Sequence, residues 1–297
     1  MGTDNNSGQG IKLPEGVTLT KGSGGLPMVS IKAGQSVAEI YLHGAHVTHF
    51  QKQGEAPLLW MSAKSKFDEA SAIRGGIPVI FPWFGGRTGC PAHGFARVKN
   101  WILAGASKGA NGAVTVHLHL PETNEAGFAN FEADYFVTVS EVLEVKLTVT
   151  NKSSSEEFKY EDCLHSYFTI GDIGSVAVKG LKGVRYLDKV DGGAEKTETN
   201  DAIVISSEVD RVYMETKATV EIHDGKLHRK ILVEKTGSAA TVVWNPWIAK
   251  SKAMADFGDE EYHTMVCVES GNVSKNSVTL APGKTATLTA RLSSAPL

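Results

Sequence analysis

Cysteine is scarce: Cys90, Cys163 and Cys267 are the only three in 297 residues. They stand too far apart for a disulfide scaffold or a zinc cluster, so buried or incidental thiols in a reducing compartment are expected. Long apolar runs are missing as well. No window approaches the roughly 18 residues that a spanning helix needs, and no membrane partner is expected. The opening MGTDNNSGQG has neither a basic n-region nor an apolar h-region, which excludes a secretory signal. Gly2 alone does not make a myristoylation site, because position 6 is Asn. Without a signal the Asn151-Lys-Ser sequon is idle, and the expected location is cytoplasmic. Charge of one sign is also missing, with 30 basic against 33 acidic side chains and a net charge of -3. Nothing there draws the chain to nucleic acid. There is no P-loop, no dinucleotide fingerprint and no Gly-x-Ser-x-Gly elbow; GSGG near the start lacks a following helix. No repeat of constant period points to a propeller or solenoid.

What is present reads as β-structure. Short stretches alternate apolar and polar residues, as in SVAEIY, GAVTVHLHLP, ADYFVTV and LEVKLTVT, and no long amphipathic helix interrupts them. The pattern predicts hairpins across 107–112 and at Asp224-Gly225, two alternating strands around Pro282-Gly283, and a pair of long strands between 131 and 149. Short helical turns are expected after Pro246. Roughly a dozen and a half strands make this an all-β chain of two extended antiparallel sheets. Residues 1–16 read as a flexible leader and 17–297 as a single catalytic domain.

The stretch 72–97, AIRGGIPVIFPWFGGRTGCPAHGFAR, breaks the β pattern. It strings Arg74, Trp83, Arg87, His93 and Arg97 on glycines and prolines, a composition for a binding wall rather than a core. Arg74 and Arg97 are suited to clamp an anion. Trp83, Phe84, Trp244 and Trp247 could stack on a sugar or simply fill the core. His43, His46 and His49 are spaced by three, which on a strand scatters them over both faces and argues against metal ligation. His117 and His119 share one strand face. His165, in EDCLHSYF, and Glu269, in MVCVESGNV, are polar groups set inside apolar strands, where such groups are either paired or functional. An imidazole and a carboxylate are the minimum for general acid–base work, but the residues alone do not bring these two together.

The motifs RGGIPVIFPWFG (74–85), HGFAR (93–97), CLHSYF (163–168), DRVY (210–213), WNPW (244–247) and CVESGNV (267–273) occur in one order. Together they resemble the hexose-phosphate mutarotase branch of the aldose 1-epimerase family, its plant-type members in particular. The resemblance implies an all-β, galactose-mutarotase-like supersandwich acting as a monomer on a small-molecule substrate, without cofactor or metal. It implies interconversion of the α and β anomers of D-glucose 6-phosphate and related hexose 6-phosphates. By motif, His165 becomes the general acid and Glu269 the general base. Arg74 and Arg97 meet the phosphate, Asp210 the sugar hydroxyls, and His93 positions the substrate. Trp247 falls near the pocket. Trp83 stands where such sequences commonly carry Gln, so a changed rim contact with the sugar is expected there; Arg87 matches no ligand residue. Two rival readings stay open: an epimerase of unphosphorylated sugars such as galactose, and a silent carbohydrate-binding protein on the same scaffold.

Overall fold

Alternation builds the larger sheet. In Phe131–Val139 and Leu143–Asn151 every second side chain is buried along the whole strand. The two pair in register from Phe131↔Asn151 to Val139↔Leu143, closed by a turn in which Ser140 and Val142 bond each other. A computed structural model describes residues 11–297. In it this hairpin lies inside a nine-stranded sheet that runs from Ala202–Val204 at one edge to Ile102–Lys108 at the other. An eight-stranded sheet carries Val209–Met214, Ala240–Asn245, Met265–Asn272 and Asp162–Leu164 side by side, with Tyr167–Thr169 also paired to Met265–Asn272. A four-stranded sheet over 17–52 and a two-stranded one, Phe158–Tyr160 with Val278–Leu280, complete the fold. Every strand pairing is antiparallel.

Side-chain parity in the eight-stranded sheet decides what becomes core and what becomes site. Ala240–Asn245 and Met265–Asn272 are buried at every position, so both of their faces are covered. Val243, Val266 and Val268 join the main apolar cluster shared with the nine-stranded sheet. Their neighbours Trp244, Met265 and Cys267 point the other way, into an aromatic cluster with Trp60, Tyr167 and Phe257. Glu269 has the parity of Cys267 and therefore lies on that second face.

One local expectation is corrected. The main cluster draws on residues from Val17 to Leu292, and Ile11 and Leu13 already pack against it, so the chain is anchored before position 17. Residues 1–10 of the expected leader lie outside the described residues. The hairpin expected at Asp224-Gly225 forms, with a loop over 225–228 between the paired residues Asp224 and Arg229. The buried Asp224 carboxylate accepts from the backbone N–H of Gly171, Lys226 and Leu227. The two strands expected around Pro282-Gly283 form, and they pair with different partners. Val278–Leu280 joins Phe158–Tyr160, whereas Thr285–Pro296 is wedged between Leu143–Asn151 and Arg229–Thr236. After Pro246 a short helix, Trp247–Ala253, forms as expected. Among the described residues no helix is long and apolar enough to cross a membrane.

Candidate active site

The glycines of 72–97 let it fold tightly over the end of the eight-stranded sheet. Gly76, at φ 58°, sits where a Cβ would come within 2.2 Å of the Val47 carbonyl oxygen. Two of the three-spaced histidines fasten the same turn. His43 and His46 are buried, bonding the carbonyls of Ser71 at 2.8 Å and Gly75 at 2.7 Å through Nε2. Burial pushes the His46 pKa down to about 3, so it stays neutral and Nε2–H donates. These side chains hold the loop that presents Arg74.

That loop closes one side of a cleft of about 530 Å³, a size suited to a small ligand. Six of the eight residues singled out in the sequence line it: Arg74, His93, Arg97, His165, Asp210 and Glu269. At its floor His165 Nε2 lies 3.3 Å from Glu269 Oε1. The register Leu164↔Ser270 between neighbouring strands brings these two distant residues together. The imidazole stacks on the Tyr167 ring at 4.7 Å and 8°, and meets the edge of Trp244 at 6.1 Å. Its Nδ1 is buried without a partner, so a proton there would be an unpaired donor; the arrangement favours the Nε2–H tautomer. Burial pushes His165 well below its ordinary pKa and Glu269 well above, the two nearby arginines adding to the first shift. Both groups are driven toward their neutral forms.

His93 adopts a left-handed backbone at φ 61°, fixed by its N–H to the Gly85 carbonyl at 2.7 Å and by Gly85 N–H to its Nδ1 at 3.3 Å. A non-glycine residue in this region costs about 1–3 kcal/mol and is typical of functional sites. Burial, then Arg97, lowers its pKa to about 3. With Nδ1 accepting, its Nε2–H is a neutral donor.

The two arginines differ. Arg74 is already satisfied: Nε and Nη2 bind the Asp256 carboxylate at 3.1 and 3.3 Å, and Nη1 the Tyr167 hydroxyl at 2.9 Å. Arg97 gives one hydrogen bond, Nη2 to the Ala92 carbonyl at 2.8 Å, while its Nε is buried with no partner. Among the described residues it forms no salt bridge, and burial pulls its pKa down to about 10, which leaves it charged at neutral pH. Lys250, on the short helix, pairs with Glu208 at 2.9 Å and lies 3.7 Å from Asp210, whose pKa burial raises. His165, Cys267 and Glu269 each bring a donor atom within 4.8 Å of the others, the imidazole and carboxylate facing each other at 3.3 Å.

Two expected contacts fail. Trp83 does not reach the cleft: its Nε1 donates to the Pro91 carbonyl at 3.1 Å, and its ring stacks on Phe128 with the Arg87 guanidinium 5.1 Å above. Only 6% of it is exposed, so it is a core residue and no rim contact with the sugar. Trp247 packs against Tyr262 at 5.1 Å and also stays off the cleft, although it opens the helix that carries Lys250. Trp244, from the same WNPW motif, lines the cleft in its place, with Phe84, Lys189, Lys250 and Met254. Strand parity was the available signal for Trp244; the lysines stand in polar segments with no pattern to mark them.

The aldose 1-epimerase family profile matches residues 27–293. The chain belongs to the aldose 1-epimerase family. It is thus an isomerase of the aldose-epimerase type. A provisionally named glucose-6-phosphate 1-epimerase from the grass Cenchrus ciliaris is 36% identical over 90% of this chain and 84% of its own length. The counterpart in Escherichia coli is 35% identical over 84% of each chain. The two identities do not single out plant members. Among solved structures, a provisionally named mutarotase from Salmonella typhimurium superposes with a TM-score of 0.87 at 31% identity, covering 97% of this chain and 96% of that one. A galactose mutarotase-like protein from Clostridium acetobutylicum, at 15% identity and a TM-score of 0.73 over 95% and 98% of the two chains, shows the shared supersandwich fold.

Proposed function

We propose that this family member interconverts the α and β anomers of D-glucose 6-phosphate and related hexose 6-phosphates. The observation that carries the phosphate is the half-buried Arg97, free of ion pairs among the described residues, in the same cleft as the facing His165 and Glu269. A half-buried cation without an ion-pair partner calls for an anionic ligand, and an unphosphorylated sugar supplies none. Arg97 is therefore the principal phosphate group, and Arg74, neutralised by Asp256, is assigned to the sugar and to holding Tyr167. Names of relatives that mention glucose 6-phosphate agree with this reading.

The chemistry follows from the single proton that the pair shares. In its ion-pair form, the Glu269 carboxylate takes the proton of the anomeric hydroxyl while the His165 imidazolium protonates the ring oxygen. The C1–O5 bond breaks and the open-chain aldehyde forms; the pair is then neutral on both sides, the state that burial favours. Rotation about C1–C2 and the reverse transfers close the ring with the other configuration. The step is redox-neutral and all its groups come from one chain, as a monomer requires. His93 Nε2–H and Asp210, which both line the cleft, are assigned to the sugar hydroxyls. The test is anomer exchange on glucose 6-phosphate, glucose and galactose under one set of conditions. Preference for the phosphorylated sugar is expected; equal or better rates on a free hexose would assign the protein to the unphosphorylated branch, and no rate on any would leave a binding protein.

A further inference from the structure

The two oxygens of Glu269 have different neighbours. Oε1 faces His165 at 3.3 Å, and Oε2 accepts a hydrogen bond from Cys163 Sγ, also at 3.3 Å. Cys163 is fully buried on Asp162–Leu164, in register with Gly271 two residues beyond Glu269. A Cβ on Gly271 would lie 2.9 Å from both the Cβ and the Sγ of Cys163. The missing side chain therefore makes the space through which the thiol lies along the strand and reaches the carboxylate. No other side-chain donor contacts Oε2 among the described residues.

We propose that Cys163 is a positioning residue of the isomerase: its thiol holds Oε2 of Glu269, which leaves Oε1 as the oxygen that exchanges the proton with substrate, and sustains the carboxylate form that the reaction starts from. This rests on Glu269 being the general base. Burial raises the Glu269 pKa, and the thiol is the hydrogen-bond donor that opposes it. Burial and the neighbouring carboxylate hold the Cys163 pKa well above the ordinary thiol value, so the sulfur keeps its proton and acts as donor.

The experiment is the pH profile of kcat/KM on glucose 6-phosphate for wild type, Cys163→Ala, Cys163→Ser and Glu269→Gln, each first checked for a cooperative thermal melt. Cys163→Ala is expected to move the acid limb up by about one pH unit, a tenfold lower rate below that limb, because the carboxylate loses its donor. Cys163→Ser keeps a donor and returns the limb to the wild-type position or below it. Coincident profiles for wild type and both Cys163 variants overturn the proposal, as does the same upward shift in Ala and Ser, which is a packing effect. If the Ala variant does not fold, a raised limb in Ser alone overturns it. Glu269→Gln separates the two levels. A retained rate there defeats the base assignment itself; a lost rate with unmoved Cys163 profiles defeats only the role of the thiol.

Discussion

Arg97→Met removes a cleft cation that forms no salt bridge among the described residues, and its effect should split by substrate. The guanidinium has a single hydrogen bond and an enclosed, unpartnered Nε. Two unit charges about 4 Å apart at an effective dielectric of about 20 attract by ~4 kcal/mol. Removing one partner of such a pair typically costs about 2–5 kcal/mol. Part of the Arg97 side chain remains solvent-accessible, which places the expected loss near ~3 kcal/mol, a fall of ~10²-fold in kcat/KM for glucose 6-phosphate. Free glucose never meets the phosphate site, and its slower rate should change by less than about threefold. The unliganded variant should also melt higher than wild type, since a half-buried cation without an ion-pair partner opposes folding, and inorganic phosphate should stabilise wild type but not the variant. Coupled or polarimetric rates with thermal shift measure all of this. An equal fall on both sugars, or no fall on either, would refute the phosphate assignment.

Arg74→Met should behave differently, lowering kcat on phosphorylated and free hexose alike by about tenfold or more, because it frees the Tyr167 ring on which His165 stacks; a loss confined to the phosphorylated sugar contradicts this. Trp83→Phe should cost about 1–2 kcal/mol in chemical denaturation through the lost indole bond and volume, yet leave kcat/KM within about twofold. A changed sugar preference in that variant would put the indole back in the site. His46 has a folded pKa of about 3 against about 6.5 unfolded, so its contribution is complete above pH 6.5 and is lost as pH falls toward 3. Between pH 7 and 5 wild type should lose about 2 kcal/mol more stability than His46→Gln, read from urea melts at the two pH values; parallel pH dependences would contradict it.

Regular structure was legible because alternation is a physical requirement of a half-buried strand. The 131–139 and 143–151 pair reads directly from its valines, and Glu269 stands out as a carboxylate with the parity of a buried face. What joins Glu269 to His165 is strand register, a tertiary fact that neither local segment contains. The strands around Pro282-Gly283 were legible too, but their partners were not, because strands adjacent in sequence need not pair with each other. In 72–97 no periodicity assigns a face, so composition marked a binding wall without saying that Trp83 turns inward while Arg97 stays in the cleft. Lys189, Lys250 and Asp256 lie in polar segments whose only signal is their place in three dimensions.

The central claim is that the His165–Glu269 pair moves both protons of anomer exchange. Exchange-transfer NMR on equilibrated glucose 6-phosphate, comparing wild type with Glu269→Gln at equal occupancy, tests it most directly. The expected result is clear acceleration by wild type and a loss of about 10²–10⁴-fold in the variant, with affinity changed only a few-fold. A Glu269→Gln protein that keeps most of the wild-type exchange rate would contradict it.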